Sequence, residues 1–493
     1  MLGNRISTTR MGGYSLLWLW TVMMFNSIVP YSFAAEPRAP LYVELTLSLV
    51  TMVVTMLFVA VALGRTDRLS DNRFILWGAA GAMALGSILA AFGETDSSVG
   101  MGALVFSSVL TGSGSAALFV CWGERFFGIG GRVALVELAV GSCVAFILGF
   151  FLCILPAPAA LAIIAATPLG SAWLLLRDQR REAAQNPTAT TLPERGPLSR
   201  STVGLLVKTL AGSLLVGMIS GFFDVVGGFN AYVVQDAYGI YLLLAGTMAT
   251  LLLALIALFC VRDGIFYAYR FSVLVLCLGC LLTPFLGDNA TYFSTLVFAG
   301  YTCYTIILYI LCIDVATSFR INVARCLGLG FVALYGGEVL GHLLGYNMGP
   351  GMTPYGLALM TLLAVSVLLI AHLFLFTEVD LIKLGIGEVS RAVPTAEDDA
   401  APEEAASAVD PVPVIVERFG LTPRESDVLP LLLEGRTIQR IQETLFISAG
   451  TVSTHIRHIY QKTGSDNRQE LIDLSQRIAA DSGEIADGAH HKK

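Results

Sequence analysis

Apolar residues in the first 376 positions do not alternate with polar ones. They run in stretches of about twenty, broken by short polar segments. A bilayer core of ~30 Å needs about 20 such residues in one helix. Hydrocarbon offers no partner for an unpaired backbone amide, so each stretch is expected to be helical. Twelve spans are predicted, the first at 14–34 and the last at 355–376. Beyond them, residues 377–413 lose this pattern, and from 414 short amphipathic helices with clear starts and stops take over. The predicted architecture is all-α: a polytopic membrane bundle over 1–376, a linker over 377–413, a small four-helix domain over 414–478 and a flexible tail over 479–493.

Composition sharpens this picture. Hydrophobic residues make up 55% of the chain and charged residues 14%, against roughly 25% charged in an average soluble protein. A wholly water-soluble chain is excluded. Of the 67 charged residues, 35 lie in 1–376 and 32 in the remaining 117 positions. Basic residues in the short loops set the expected orientation, since Lys and Arg favour the cytoplasmic side. An inside N-terminus puts 16 of these arginines inside, among them Arg10, Arg125 and Arg132, and only Arg38 outside. The C-terminal tail is then cytoplasmic. The first apolar stretch also fits a cleaved signal peptide, and its removal would leave the tail on the same side.

The polar loop 177–202, with Pro187, Pro193 and Pro197, divides the body into halves 14–176 and 203–376. This six-plus-six layout resembles the major facilitator superfamily, whose two bundles enclose a central cavity. Gly64, Asp67, Arg68 and Arg73 resemble that family's loop signature, with the acid one place early. Ionisable residues within membrane spans usually line a cavity or pair, which singles out Glu44, Asp224, Glu338 and His342. Glu44, near the end of its span, is expected to reach the headgroups. The resemblance implies that the first, fourth, seventh and tenth spans line the cavity. It nominates Asn26, Ser113, Asp224, Tyr301, Tyr304 and Thr305 as ligand contacts, beside Glu338 and His342. Gly337, Gly341 and Gly345 form a stripe expected to pack closely against another helix. The nine cysteines, Cys277 and Cys280 included, lie in or beside apolar spans and read as packing. No metal site, cofactor or enzyme constellation is indicated.

The tail carries the most specific motifs. Residues 377–413 hold nine acids and two bases with four prolines, the composition of an extended acidic linker. Thr422, Pro423 and Glu425 predict a capping box with proline at the first helical position, and Gly435 a stop. Ile438, Ile441 and Leu445 stripe a second helix, and Val452, Ile456 and Ile459 a third. Asn467 and Glu470 cap a fourth, carrying Leu471, Leu474 and Ile478. The third helix is left exposing Ser453, Thr454, Arg457, His458, Gln461 and Lys462, a polar and basic face of the kind that enters a major groove. Pro430, inside the first helix, removes a backbone hydrogen bond at a cost of about 3 kcal/mol.

The stretch LTPRESDVLPLLLEGRTIQRIQETLFISAGTVSTHIRHIYQKTGSDNRQEL resembles the DNA-binding domain of LuxR-type regulators. That resemblance implies Thr451 and Lys462 at phosphates, Ser453, Thr454 and Arg457 at bases, and dimerisation through the fourth helix. The third-helix serine stands where many members carry lysine. The domain is formally neutral, with eight bases and eight acids over 414–478, so affinity should depend on local charge placement and pairing. Together the halves imply a membrane-bound transcription regulator of the inner membrane. Its expected partners are double-stranded DNA, a small-molecule ligand, the lipid bilayer, a second copy of the chain and RNA polymerase. A solute transporter carrying a regulatory tail is the competing expectation.

Overall fold

The computed structural model describes residues 6–33, 38–63, 68–185, 200–231, 237–260, 264–285, 291–318, 321–349, 352–375 and 411–478, the last without 437, 446, 448, 466, 467 and 469. The chain divides into two compact units, 1–394 and 395–493. Most of the expected acidic linker, the 479–493 tail, Asn467 and the Gly64–Asp67 part of the loop signature lie outside the described residues.

Among the described residues the first unit is a bundle of twelve long helices. They are α1 (Thr8–Phe25), α2 (Arg38–Phe58), α3 (Arg73–Ala90), α4 (Ser98–Arg125), α5 (Gly131–Ile154), α6 (Ala157–Gln185), α7 (Arg200–Ala231), α8 (Ala237–Phe259), α9 (Gly264–Leu282), α10 (Thr291–Ser318), α11 (Val323–Met348) and α12 (Pro354–Leu375). Eleven are long and apolar enough to cross a membrane, and α1, with Arg10 in its first turn, is the exception. Helix α1 also starts six residues earlier and ends nine earlier than the apolar run suggests, because the polar Asn26 and a short turn at Val29–Tyr31 close it.

Helix α1 is nevertheless the centre of the first half. Tyr14, Trp20, Met23 and Met24 on it have no exposed surface. The Trp20 indole donates to Ser87 Oγ on α3 at 2.8 Å. Gly13 lets Trp122 of α4 lie against the α1 backbone, where an added Cβ would fall 2.2 Å from the indole ring. Ser171 of α6 joins both, accepting from Trp122 Nε1 at 2.9 Å and donating to Gly13 O at 2.7 Å.

Buried charge pairs lock the end of the bundle at which α1 begins. Arg10 makes two bonds to Glu137 of α5, at 2.9 and 2.7 Å, and Ser7 N donates to the same carboxylate. Arg125 of α4 pairs with Asp178 of α6 at 3.1 Å. Glu124 accepts the backbone N–H groups of Leu69 and Ser70 at 2.9 and 2.8 Å, fixing the loop between α2 and α3. Arg132 bridges the halves by donating to the terminal carbonyls of α8, Ala257 O at 3.0 Å and Leu258 O at 2.9 Å. Cations suit such helix C-termini.

Helices α7 and α11 are held in backbone contact by glycines on both sides. A Cβ at Gly217 would sit 1.9 Å from Leu334 O, and one at Gly337 2.2 Å from Leu214 O. At Gly341 it would sit 2.2 Å from Met218 O. The predicted stripe is thus a packing device, answered by Gly217 and Gly221 on the opposing helix. Gly341→Ala is expected to cost about 1–3 kcal/mol of stability and to lower the unfolding temperature of the purified protein. Gly336→Ala, with nothing within 4 Å of the added Cβ, should leave it unchanged.

Candidate ligand cavity and nucleic-acid interface

A cavity of about 960 Å³, counting its open mouth, lies between the two halves. Its walls come from the far part of α1, the middle of α2, the second half of α4, and α7, α10 and α11. Asn26, Asp224, Tyr301, Thr305 and Glu338, all nominated by sequence, line it. The α7–α11 contact sets their geometry: Glu338 and His342 stand one turn apart on α11, facing Asp224 on α7. The Tyr301 hydroxyl donates to Glu338 in a short hydrogen bond. His342 Nε2 lies 3.5 Å from Asp224 Oδ2. Asp224 keeps about a third of its side chain exposed, whereas His342 is buried.

Three nominated residues are not part of the lining. His342 is buried, with Nε2 3.5 Å from the cavity-lining Asp224. The Tyr304 hydroxyl is 3.1 Å from Ser213 Oγ, joining α10 to α7. Ser113 donates to Val109 O at 2.6 Å on its own helix. The cavity-facing serine of α4 is Ser115, two residues on and therefore turned by about 200°. For α4, membership of the lining is legible in sequence, but the facing side is not.

Glu44 corrects another expectation. It does not reach the headgroups but is fully buried between α2 and α4. Ser107 donates to it at 2.7 Å, Ser108 at 2.9 Å and Thr111 at 2.9 Å, with Ser48 at 3.4 Å. Those partners are 63 to 67 positions away in the chain, apart from Ser48. The nine cysteines are free thiols.

The second unit has its own core of Ile415, Val428, Leu429, Ile441, Val452, Ile459, Leu471 and Ile478. Its helices are α13 (Pro411–Phe419), α14 (Pro423–Leu433), α15 (Ile438–Leu445), α16 (Ala449–Thr463) and α17 (470–478). The four predicted helices are there, preceded by α13, whose first three residues fall in the expected linker and whose remainder lies at the start of the expected domain, where no helix is predicted. Pro411 and Pro413 stand in its first turn, where a missing N–H is tolerated. Helix α14 also runs through Pro430 without a break. Gly420, Gly435 and Gly464 adopt φ of +61°, +86° and +69° and end α13, α14 and α16, the left-handed stop that glycine supplies most cheaply.

The capping box is complete. Glu425 N donates to Thr422 Oγ1 at 3.4 Å, and Thr422 N to Glu425 Oε2 at 2.8 Å. The same Oε2 accepts from Lys462 Nζ of α16 at 2.7 Å, and His458 Nδ1 lies 3.5 Å from Oε1. Lys462, expected to meet phosphate, therefore spends one donor on Glu425 and another on Gly420 O at 3.0 Å. A cap on one helix thus fixes the direction of another. Arg468 adds a second tie that sequence did not reveal, donating to Leu432 O at 2.7 Å and Arg436 O at 3.0 Å. Thr451, Ser453, Thr454 and Arg457 are exposed on α16, and Val452 is buried beneath them. Thr454 Oγ1 donates back to Gly450 O at 2.9 Å.

Residues 420–475 match the bacterial regulatory proteins of the luxR family. Over 67 residues, 14% of this chain, there is 40% identity to the HTH-type transcriptional regulator MalT of Yersinia pestis (strain Pestoides F) and to that of Yersinia pseudotuberculosis serotype O:1b. The match spans about 7% of the length of those relatives. The bundle is similar to a bacterial homologue of the iron transporter ferroportin, crystallised in an outward-facing state. That likeness has a TM-score of 0.52 at 13% identity and covers 78% of this chain and 99% of the other. The chain therefore carries a LuxR-type helix-turn-helix domain, a DNA-binding module of transcription regulators. It joins that domain to a multi-pass membrane body whose fold is like that of the ferroportin homologue.

Burial works against charge on Glu425, but the bonds from Lys462 and Thr422 outweigh it and hold the carboxyl down to about 2 from an ordinary 4.5. A depressed acid stabilises the fold above its ordinary value, and that contribution disappears as pH falls through the folded one. The isolated 395–493 unit should therefore lose stability between about pH 4.5 and pH 2. Glu425→Gln should flatten that dependence and cost about 1–2 kcal/mol at neutral pH, read by urea denaturation.

Proposed function

We propose that the chain is a membrane-bound, one-component transcription regulator. Its bundle senses a small molecule, and its C-terminal domain binds promoter DNA from the cytoplasmic side, where both termini lie. The observation that carries this reading is the joining of a LuxR-type domain to a bundle with a polar-lined cavity in one polypeptide. A ligand moves such a system only by binding one conformation of the bundle better than another. The expected consequence is a change in the pairing or presentation of the DNA-binding domains.

Helix α16 is the reading helix. Ser453, Thr454 and Arg457 face the bases, and Thr451 meets a phosphate. Lys462 keeps one donor for the backbone while its other two hold the helix on Glu425 and Gly420. Arg457 is the residue of this set suited to bidentate contact with guanine, worth about 1–3 kcal/mol of discrimination. Homodimers, paired through α17, would supply two half-site contacts, and RNA polymerase is the partner through which the bound protein would act on transcription.

Arg457→Ala is expected to abolish specific retardation of promoter fragments by the purified full chain, with membrane insertion and cavity unaffected. Unchanged retardation would reject α16 as the reading helix. The competing reading is a transporter with a regulatory tail, favoured by the transporter fold of the bundle. Proteoliposomes distinguish the two: the sensor reading expects no saturable, gradient-driven solute accumulation, and such accumulation would favour transport.

A further inference from the structure

We propose that the cavity takes an organic ammonium compound with an apolar, aromatic-packing body. This rests on the reading of the cavity as the sensing site and names the class of molecule that fits it. Asp224 and Glu338 both line the cavity, and no Lys, Arg or His does so among the described lining residues. Asp224 has His342 at 3.5 Å. Glu338 receives a neutral phenol hydrogen from Tyr301 and makes no ion pair among the described residues. A carboxylate withdrawn from water without a cation is costly unless a ligand brings the countercharge.

The remaining walls suit the rest of such a ligand. Trp18, Phe119, Phe298 and Tyr335 present aromatic surface to the cavity, and aromatic faces attract an ammonium group while packing on an apolar body. An anion would meet two carboxylates, and a neutral guest would leave Glu338 without an ion-pair partner among the described residues. A bare divalent ion asks for about six or more oxygen ligands, and no cluster of three or more His, Cys, Asp or Glu is assembled among the described residues.

The test uses the full-length chain in lipid nanodiscs and three probes alike in ring and chain: phenylpropylamine, phenylpropanol and phenylpropanoate. Calorimetry should show the amine binding at least about tenfold more tightly than the alcohol, roughly the 1.4 kcal/mol of one modest charge contact, and the carboxylate most weakly. In Glu338→Gln the amine-to-alcohol ratio should fall toward one, and in Asp224→Asn it should shrink. Because the ratio is taken within one preparation, partial misfolding does not alter it. Three results would overturn the proposal: equal or tighter binding of the alcohol or carboxylate, an undiminished ratio in both variants, or no saturable binding of the amine. The sensing reading is measured separately by DNA retardation with each probe present. Selective amine binding without a DNA response upholds the ligand class and removes the sensing role; a DNA response to the carboxylate alone does the reverse.

Discussion

Two helices of the membrane body approach so closely that no side chain fits between their backbones, and the polar chemistry of the cavity depends on that approach. Gly217 and Gly221 on α7 and Gly337 and Gly341 on α11 interleave against each other's main chains, and Gly345 lies against the Val225 side chain. Lipid tails are as apolar as leucine, so helix association in a bilayer relies on such packing rather than on a hydrophobic drive. Once the backbones touch, Asp224 has to face His342, and Glu338 is delivered to Tyr301 on α10. A larger residue in the seam would separate the acids from their partners and reshape the cavity between the halves.

A comparable economy holds the C-terminal domain together. Glu425 closes the first turn of α14 and, with the same carboxylate, fixes Lys462 and reaches His458 on α16. The helix assigned to the groove is oriented by a helix cap rather than by its core residues alone. Arg468 secures the opposite end of α14 from the start of the last helix. Such cross-ties matter in a domain whose core is only about ten side chains, because a short helix has little intrinsic stability of its own.

Much of this was legible in the chain. A charge inside an apolar run is conspicuous, so Asp224 and Glu338 were found, and the capping box and glycine stops bounded α14 to the residue. What escaped were relations between distant segments and the rotation of helices. Ser113 was named where Ser115 faces the cavity, because apolarity all round a membrane helix hides its orientation. Glu44 was placed at the headgroups because its hydroxyl partners come from α4, far along the chain. The linker expectation overlaps the first turn of α13, because prolines at a helix start resemble prolines that prevent one. The length of α1 was overestimated because its apolar run continues past the polar Asn26 that closes it.

The central claim is that this membrane chain occupies chromosomal DNA. Cross-linking the full-length protein to DNA in intact cells, followed by sequencing of the captured fragments, tests it most directly. The account predicts discrete sites of enrichment that vanish for a chain ending at residue 394. Enrichment no greater than that of the shortened chain, at every locus, would contradict it.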